Sequence, residues 1–172
     1  NSARVSFGKH KDELDERDRK LVKYLIEHRH TSTLEHNVAT FRFTVPLYVR
    51  SQHHRHRTWS FNEISRRYTE ENIRFYEPSA FRTQHSSNRQ ASNANELINP
   101  HIIHGHSKID ARSAYVEHNL SAVQLYNELT EAGVCREQAR GVLPGCLYTE
   151  YYGSTNCQNL LRCIDLRMQE GA

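Results

Sequence analysis

Two short runs of alternating polarity, about a hundred residues apart, limit the fold of this chain more than any other feature. In the first, Ala39, Phe41, Phe43 and Val45 alternate with Thr40, Arg42 and Thr44 up to Pro46. In the second, Leu147, Thr149 and Tyr151 alternate with Tyr148, Glu150 and Tyr152. A period of two puts each set on its own face of a half-buried strand. The other apolar residues recur at helical spacing. Leu14, Leu21, Leu25 and Ile26 predict an amphipathic helix from about Asp12 to His28. Val116, Leu120, Val123 and Leu129 predict a second from about Ala111 to Ala132, stopped by Gly133. A short helix from Arg136 to Val142 ends before Pro144, and Leu160, Cys163, Ile164 and Arg167 share neighbouring ridges of a last one from Asn156 to Arg167. Pro46 ends the first strand and can open a helix through Leu47, Tyr48 and Val49 toward Gln52 and His54. So few strands do not make a doubly wound parallel sheet, and the predicted fold class is α+β.

The chain's 172 residues suit one domain with a hydrophobic core. Gln84 to Lys108 is rich in Ser, Asn, Gln and His, which predicts a polar loop or insertion at about 84–108 and not a second domain. No apolar run approaches the roughly 18 residues that cross a bilayer, so no membrane partner is expected. A net charge of +3 admits an anionic ligand without the dense basic stripe of a nucleic-acid binder. Cys135, Cys146, Cys157 and Cys163 form no CxxC pair and read as reduced thiols of a cytoplasmic protein.

Reactive residue types concentrate between Gln52 and Tyr68, where Arg55, Arg57, Arg66 and Arg67 accompany His53, His54 and His56. Ser60 and Glu63 have the S-x-x-E spacing of a capping box, which predicts a helical turn with free backbone N–H groups. Helix N-termini beside arginines are phosphate sites, and a guanidinium suits planar, bidentate recognition of phosphate or a pyrimidine edge. A solvated basic loop remains open on charge alone. So does a nucleic-acid surface with Trp59, Phe61 and Tyr68 as stacking residues, although Glu63 opposes it. Adjacent histidines interleaved with arginines are poor chelators, and no metal is expected there; a second histidine group, His101, His104 and His106, lies in the polar stretch.

Arg55-His56-Arg57 followed after seven residues by Ser65 resembles the signature of the flavin-dependent thymidylate synthases, the ThyX family. Gln52, Ser60, Asn62, Glu63 and Arg67-Tyr68 stand around it as in that family. Further resemblances follow in order: Ala3 to Phe7 to a first strand-to-loop passage, His30 to His36 to a histidine turn, and Ala139 to Pro144 and Asn156 to Arg167 to two later signatures. The resemblance implies a single domain with a mostly antiparallel sheet packed with helices, in a homotetramer whose active sites are shared between subunits. It also implies that residues 1–172 lack N- and C-terminal portions of the family, among them its first sheet strand and a helical tail.

The activity so implied is reductive methylation of dUMP to dTMP, with FAD as cofactor and NADPH and 5,10-methylenetetrahydrofolate as co-substrates. Arg55, His56 and Arg57 would hold FAD, with His30, Ser32, Asn156, Gln158 and Arg162; at Arg162 the chain departs from the Asn of the family pattern. Glu63 would lie where the flavin and nucleotide sites meet and touch both. Gln52, Ser65, Arg66, Arg67, Arg140 and Arg167 would bind dUMP, and Arg167 would be catalytic by favouring ionisation of the uracil at N3. Ser65 has no adjacent base to make it a nucleophile, and no cysteine lies in the motif segment to attack uracil.

Overall fold

The later alternating run is the centre of the sheet. The computed structural model describes residues 2–68 and 73–168. In chain order they form a 3₁₀ turn (Ser2–Phe7), α1 (Glu16–Glu27), a second 3₁₀ turn (Thr31–Leu34), β1 (Val38–Pro46), α2 (Leu47–His53), β2 (Ser60–Glu63), β3 (Phe81–Gln84), β4 (Ser92–Ile98), β5 (His101–His104), β6 (Ser107–Asp110), α3 (Ala111–Glu131), α4 (Arg136–Ala139), a third 3₁₀ turn (Arg140–Val142), β7 (Tyr148–Asn156) and α5 (Cys157–Arg167). β7 lies between β1 and β2 and is antiparallel to both. The fold class is α+β, as the alternation predicts.

β7 buries Thr149, Tyr151, Gly153 and Thr155 on one face, the period of two made physical. Gly153 is opposite both Phe41 and Phe61. A Cβ there would stand 3.1 Å from Phe43 Cε2 and 3.2 Å from the Trp59 ring, so a side chain would force these rings to give way. Phe43 stacks on Tyr151 with centroids 5.1 Å apart, and Trp59 closes the group at 6.1 Å from Phe43.

Several boundaries differ from the sequence reading for identifiable reasons. The 60–63 segment is strand β2, not a capped helical turn: Phe61 and Glu63 turn inward while Ser60 and Asn62 stay exposed, and the edge of β7 supplies their ladder partners. The stretch 84–108 is not an irregular loop but contains most of two hairpins, β3–β4 and β5–β6. β4 and β5 are exposed on nearly every residue, which removes the alternation that would have announced them, and β3, with Phe81 and Thr83 half-buried, is only four residues long. Gly105, at φ +60°, makes the second turn. α1 starts later than Asp12, because Asp15 caps it reciprocally with Asp18, leaving Leu14 outside and exposed. Ser2–Phe7 is a 3₁₀ turn where a strand-to-loop passage was expected.

α1 ends in a Schellman arrangement, His30 N donating to Leu25 O at 2.8 Å and Arg29 N to Ile26 O at 3.0 Å. Arg29 occupies the left-handed position at φ 58°, where glycine is the unstrained residue. α3 runs close to its predicted span but buries Ala114, Asn119, Ala122 and Tyr126, whereas Leu120 remains 65% exposed. Its inner face therefore mixes two alanines with Asn119 and the ring of Tyr126, and the Cys146 thiol donates to Asn119 Oδ1 at 3.2 Å. Among the described residues no helix is long and apolar enough to cross a membrane.

Candidate active site

Three clefts receive the expected site residues, and two helices divide them. α2 turns Leu47 and Arg50, three apart, toward the first cleft and Val49, Gln52 and His53 toward the second. α5 turns Leu160, Cys163 and Arg167 toward the second and Gln158, Leu161, Arg162 and Asp165 toward the third. Asn156 is the N-cap of α5, its Oδ1 accepting from Asn159 N at 2.9 Å, so it fixes the start of this partition.

The first cleft, about 550 Å³, brings together Glu63, Ser65, Arg66 and Arg140 of the expected set, with Arg50 and Glu137. Glu63 is held from both sides. Arg50 donates to Oε2 through Nε at 2.8 Å and again through Nη2, and Thr149 donates to Oε1 at 2.6 Å. The carboxylate of Glu63 is thus a fixed wall of this cleft, and Arg50 and Thr149, which the sequence reading did not nominate, set its position. After β2, a turn closes with Tyr68 N donating to Ser65 O and Arg67 N to Ser65 Oγ. Arg67 lies on the rim in an ion pair with Glu137 at 3.6 Å. Burial lowers the pKa of Arg66 from the ordinary guanidinium value. Three guanidinium groups around one cleft favour a phosphorylated ligand.

The second cleft, about 480 Å³, is apolar: Phe41, Phe43, Val45, Val49, Trp59 and Tyr151 make most of its wall. Gln52, His56 and Arg167 of the expected set enter it, and so does His53. His56 Nε2 lies 3.5 Å from Arg167 Nη2 and 3.8 Å from Cys163 Sγ. Burial, with repulsion from His56, His54 and Arg167, pushes the His53 imidazole down to about 4. The same two causes, burial first and Arg167 second, lower His56. His54 is lowered by burial and then by Arg50, with Glu63 opposing. All three rings are therefore neutral near pH 7. His53 Nδ1 and the Tyr151 hydroxyl are 2.7 Å apart.

The third cleft, about 520 Å³, joins Gln158 and Arg162 to Arg29, Thr31 and Leu34 at the turn after α1. His30 caps that turn and Ser32 lies within it, both exposed. Arg55 and Arg57 are exposed and line none of these three clefts. The expected residues are consequently grouped but not gathered into one site. Among the described residues no group of three or more His, Cys, Asp or Glu is placed to hold a metal ion, His101, His104 and His106 included. All four cysteines are free.

Residues 1–172 match a family model described as "Thymidylate synthase complementing protein". A flavin-dependent thymidylate synthase of Thermus thermophilus is 41% identical over 167 residues, covering 97% of this chain and 58% of that protein. One from Thermosipho melanesiensis is 37% identical over 173 residues, with 99% and 71% covered, and one from Dictyostelium discoideum is 36% identical over 169 residues, with 97% and 53% covered. This chain thus spans 58% of the length of the Thermus relative. Among solved structures, the UMP/dUMP methylase PolB from Streptomyces cacaoi bound with 5-Br dUMP superposes with a TM-score of 0.73 at 29% identity, covering 95% of this chain and 69% of that one.

Proposed function

Since this chain belongs to the thymidylate synthase complementing protein family, we propose that it is a flavin-dependent thymidylate synthase, methylating dUMP to dTMP. The observation that carries the reading is the adjacency of two unlike clefts across α2, one lined by guanidinium groups and one by aromatic rings. A phosphorylated nucleotide and a planar ring system need those two surfaces side by side.

The residues present fit FAD. The second cleft offers flat apolar walls, and Trp59 brings an indole N–H that is buried with no partner among the described residues. His56, with Arg55 and Arg57 from the same turn, and Asn156, Gln158 and Arg162 on α5 would hold the cofactor together with His30 and Ser32. The spread of this set over two clefts and an exposed turn supports a homotetramer with shared active sites, as does the uncovered Leu120 on α3. When bound, FAD supplies hydride to the pyrimidine, NADPH regenerates the cofactor, and 5,10-methylenetetrahydrofolate gives the carbon. Ser65, Arg66, Arg67 and Arg140 would bind the dUMP phosphate and sugar, and Glu63 would wall the junction of the two ligands. Gln52 and Arg167 would meet the uracil. Arg167, beside neutral His56, would place its positive charge where negative charge develops on the ring as N3 ionises. The apolar wall keeps water from diluting that charge. With no spanning helix among the described residues, cytoplasmic location fits this chemistry.

The test is a visible spectrum of the protein titrated with FAD, then reduced with NADPH under anaerobic conditions with and without dUMP. A bound-flavin spectrum that bleaches, faster with dUMP, followed by dTMP formation on addition of the folate, is expected. Full-length protein that binds no flavin would overturn the reading.

A further inference from the structure

The aromatic cleft contains one polar pair that none of the roles above uses. His53 and Tyr151 sit in its wall, and Tyr151 is only 2% exposed. Aromatic rings pack closely on both: Phe43 is 4.8 Å and Trp59 4.6 Å from His53, centroid to centroid, and Phe61 is 5.8 Å from Tyr151. A buried phenol must place its hydroxyl proton on an acceptor. Among the described residues, the partner of the Tyr151 hydroxyl is His53 Nδ1, at 2.7 Å. Tyr151 therefore donates, and His53 Nδ1 is the unprotonated nitrogen of a neutral ring. The proton of that imidazole is then on Nε2, which has no protein partner among the described residues and is not among the buried atoms left without one. An N–H donor held in position by a phenol behind it is left without a protein acceptor among the described residues, in a largely apolar cleft.

We propose that His53 is a ligand-positioning residue of the aromatic cleft: Tyr151 fixes its tautomer so that Nε2–H donates to an acceptor atom, a carbonyl oxygen or ring nitrogen, on the edge of a planar heterocycle bound there. A ligand with an acceptor edge satisfies the His53 donor; a purely hydrocarbon ring does not. The flavin ring of the proposed function has such an edge, and the inference rests on that reading for the identity of its ligand.

Two measurements test it. In the ligand-free protein, ¹⁵N chemical shifts of the His53 ring should report the Nε2–H tautomer, and Tyr151→Phe should yield a mixture of the two. An Nδ1–H ring in the wild type would overturn the proposal. In a fluorescence titration with FAD, His53→Phe, which keeps an aromatic ring in the wall, should bind about tenfold more weakly than wild type, the worth of one well-placed hydrogen bond. The bound-flavin absorption band should shift as well, which a merely structural loss of packing would not produce. Tyr151→Phe should move both quantities in the same direction by less. Wild type that binds FAD together with a His53→Phe variant of equal affinity and unchanged band would defeat the positioning role alone. Failure of the wild type itself to bind FAD would instead bring down the flavin reading and this ligand with it.

Discussion

The arginine cleft and the aromatic cleft share helix α2 and strand β7, yet they are held in shape by different forces. In the first, position comes from charge: Glu63 is fixed between Arg50 and Thr149, and Arg67 reaches Glu137 across the rim. In the second it comes from packing, with Phe43, Trp59, Phe61 and Tyr151 closing around Gly153 and His53. One residue separates the two regimes on α2, where Arg50 follows Val49, and the pairing of Glu63 with Tyr151 joins them on the sheet. A site that must bring a charged nucleotide against a flat hydrophobic ring can be assembled this way from one short helix. Charge-built walls tolerate small displacements, because Coulomb attraction falls slowly with distance, whereas packed rings do not.

The contrast is broken most severely at Arg167, a cation in the apolar cleft. Arg167→Ala should lower the rate of dTMP formation on the order of a hundredfold or more, the usual cost of losing a charge aimed at a developing anion. FAD binding should be largely spared. Single-turnover assays beside flavin titrations separate the two, and loss of flavin in place of rate would remove the assigned role. Next in size is Gly153→Ala. The added methyl would press on Phe43 and Trp59 at 3.1 and 3.2 Å, and overpacking of this kind costs about 1–3 kcal/mol. Urea unfolding should show that loss, while dUMP affinity changes less than flavin affinity. Equal losses in both would mean that the clefts are not mechanically separate.

What could be read in advance follows the same division. β1, β7, α3 and α5 announce themselves because a half-buried element writes its period into the sequence. β2 does not, since four residues fit a capping box as well as an edge strand and only the neighbouring β7 decides. The hairpins of 81–110 do not either, because β4 and β5 are exposed along nearly their whole length and β3 is only four residues long. α3 presents Ala114, Asn119, Ala122 and Tyr126 inward, a mixed face that does not stand out in the sequence beside Leu120 and Val123. In the site, the segment from Gln52 to Tyr68 stood out by its chemistry, but its division between clefts is a property of α2 and β2 geometry. Arg50 looked like any helical arginine until Glu63 was found beside it. Nothing in the sequence marks His53 apart from its neighbouring histidines, because its partner, Tyr151, is 98 residues away on β7.

Arg50→Ala sharpens the comparison from the charged side. It leaves Glu63 with the Thr149 hydroxyl as its donor among the described residues and removes one of three guanidinium groups from the cleft. dUMP binding by calorimetry should weaken by about tenfold, the scale of one charge-assisted hydrogen bond, with Arg50→Lys recovering part of it. Flavin affinity should hold. Loss of dUMP affinity should be smaller in high salt, where the wild-type advantage is screened. A variant that binds dUMP normally at low salt would show that Arg50 merely braces the strand.

The last effect is a pH dependence whose upper stage belongs to the histidines of 53–56. His53 titrates near 4 in the folded protein, against an ordinary value of 6.5, and His54 and His56 are lowered in the same direction. Between those limits the unfolded chain binds protons that the folded chain refuses, so acid favours unfolding. Stability contributed by the neutral rings is complete above about pH 6.5 and declines as the pH falls toward 4. Asp18 and Asp110, held well below the usual carboxylate range by hydrogen bonds to their neighbours, lose their contribution only at lower pH. The two windows are distinct. Urea midpoints measured from pH 7 down to about pH 2 should therefore fall in two stages, and His53→Phe should flatten the upper stage while leaving the lower one in place. An upper stage of unchanged slope in that variant would mean that the acid sensitivity of the aromatic cleft comes from His54 and His56, and that the His53 ring is not the group whose burial sets it.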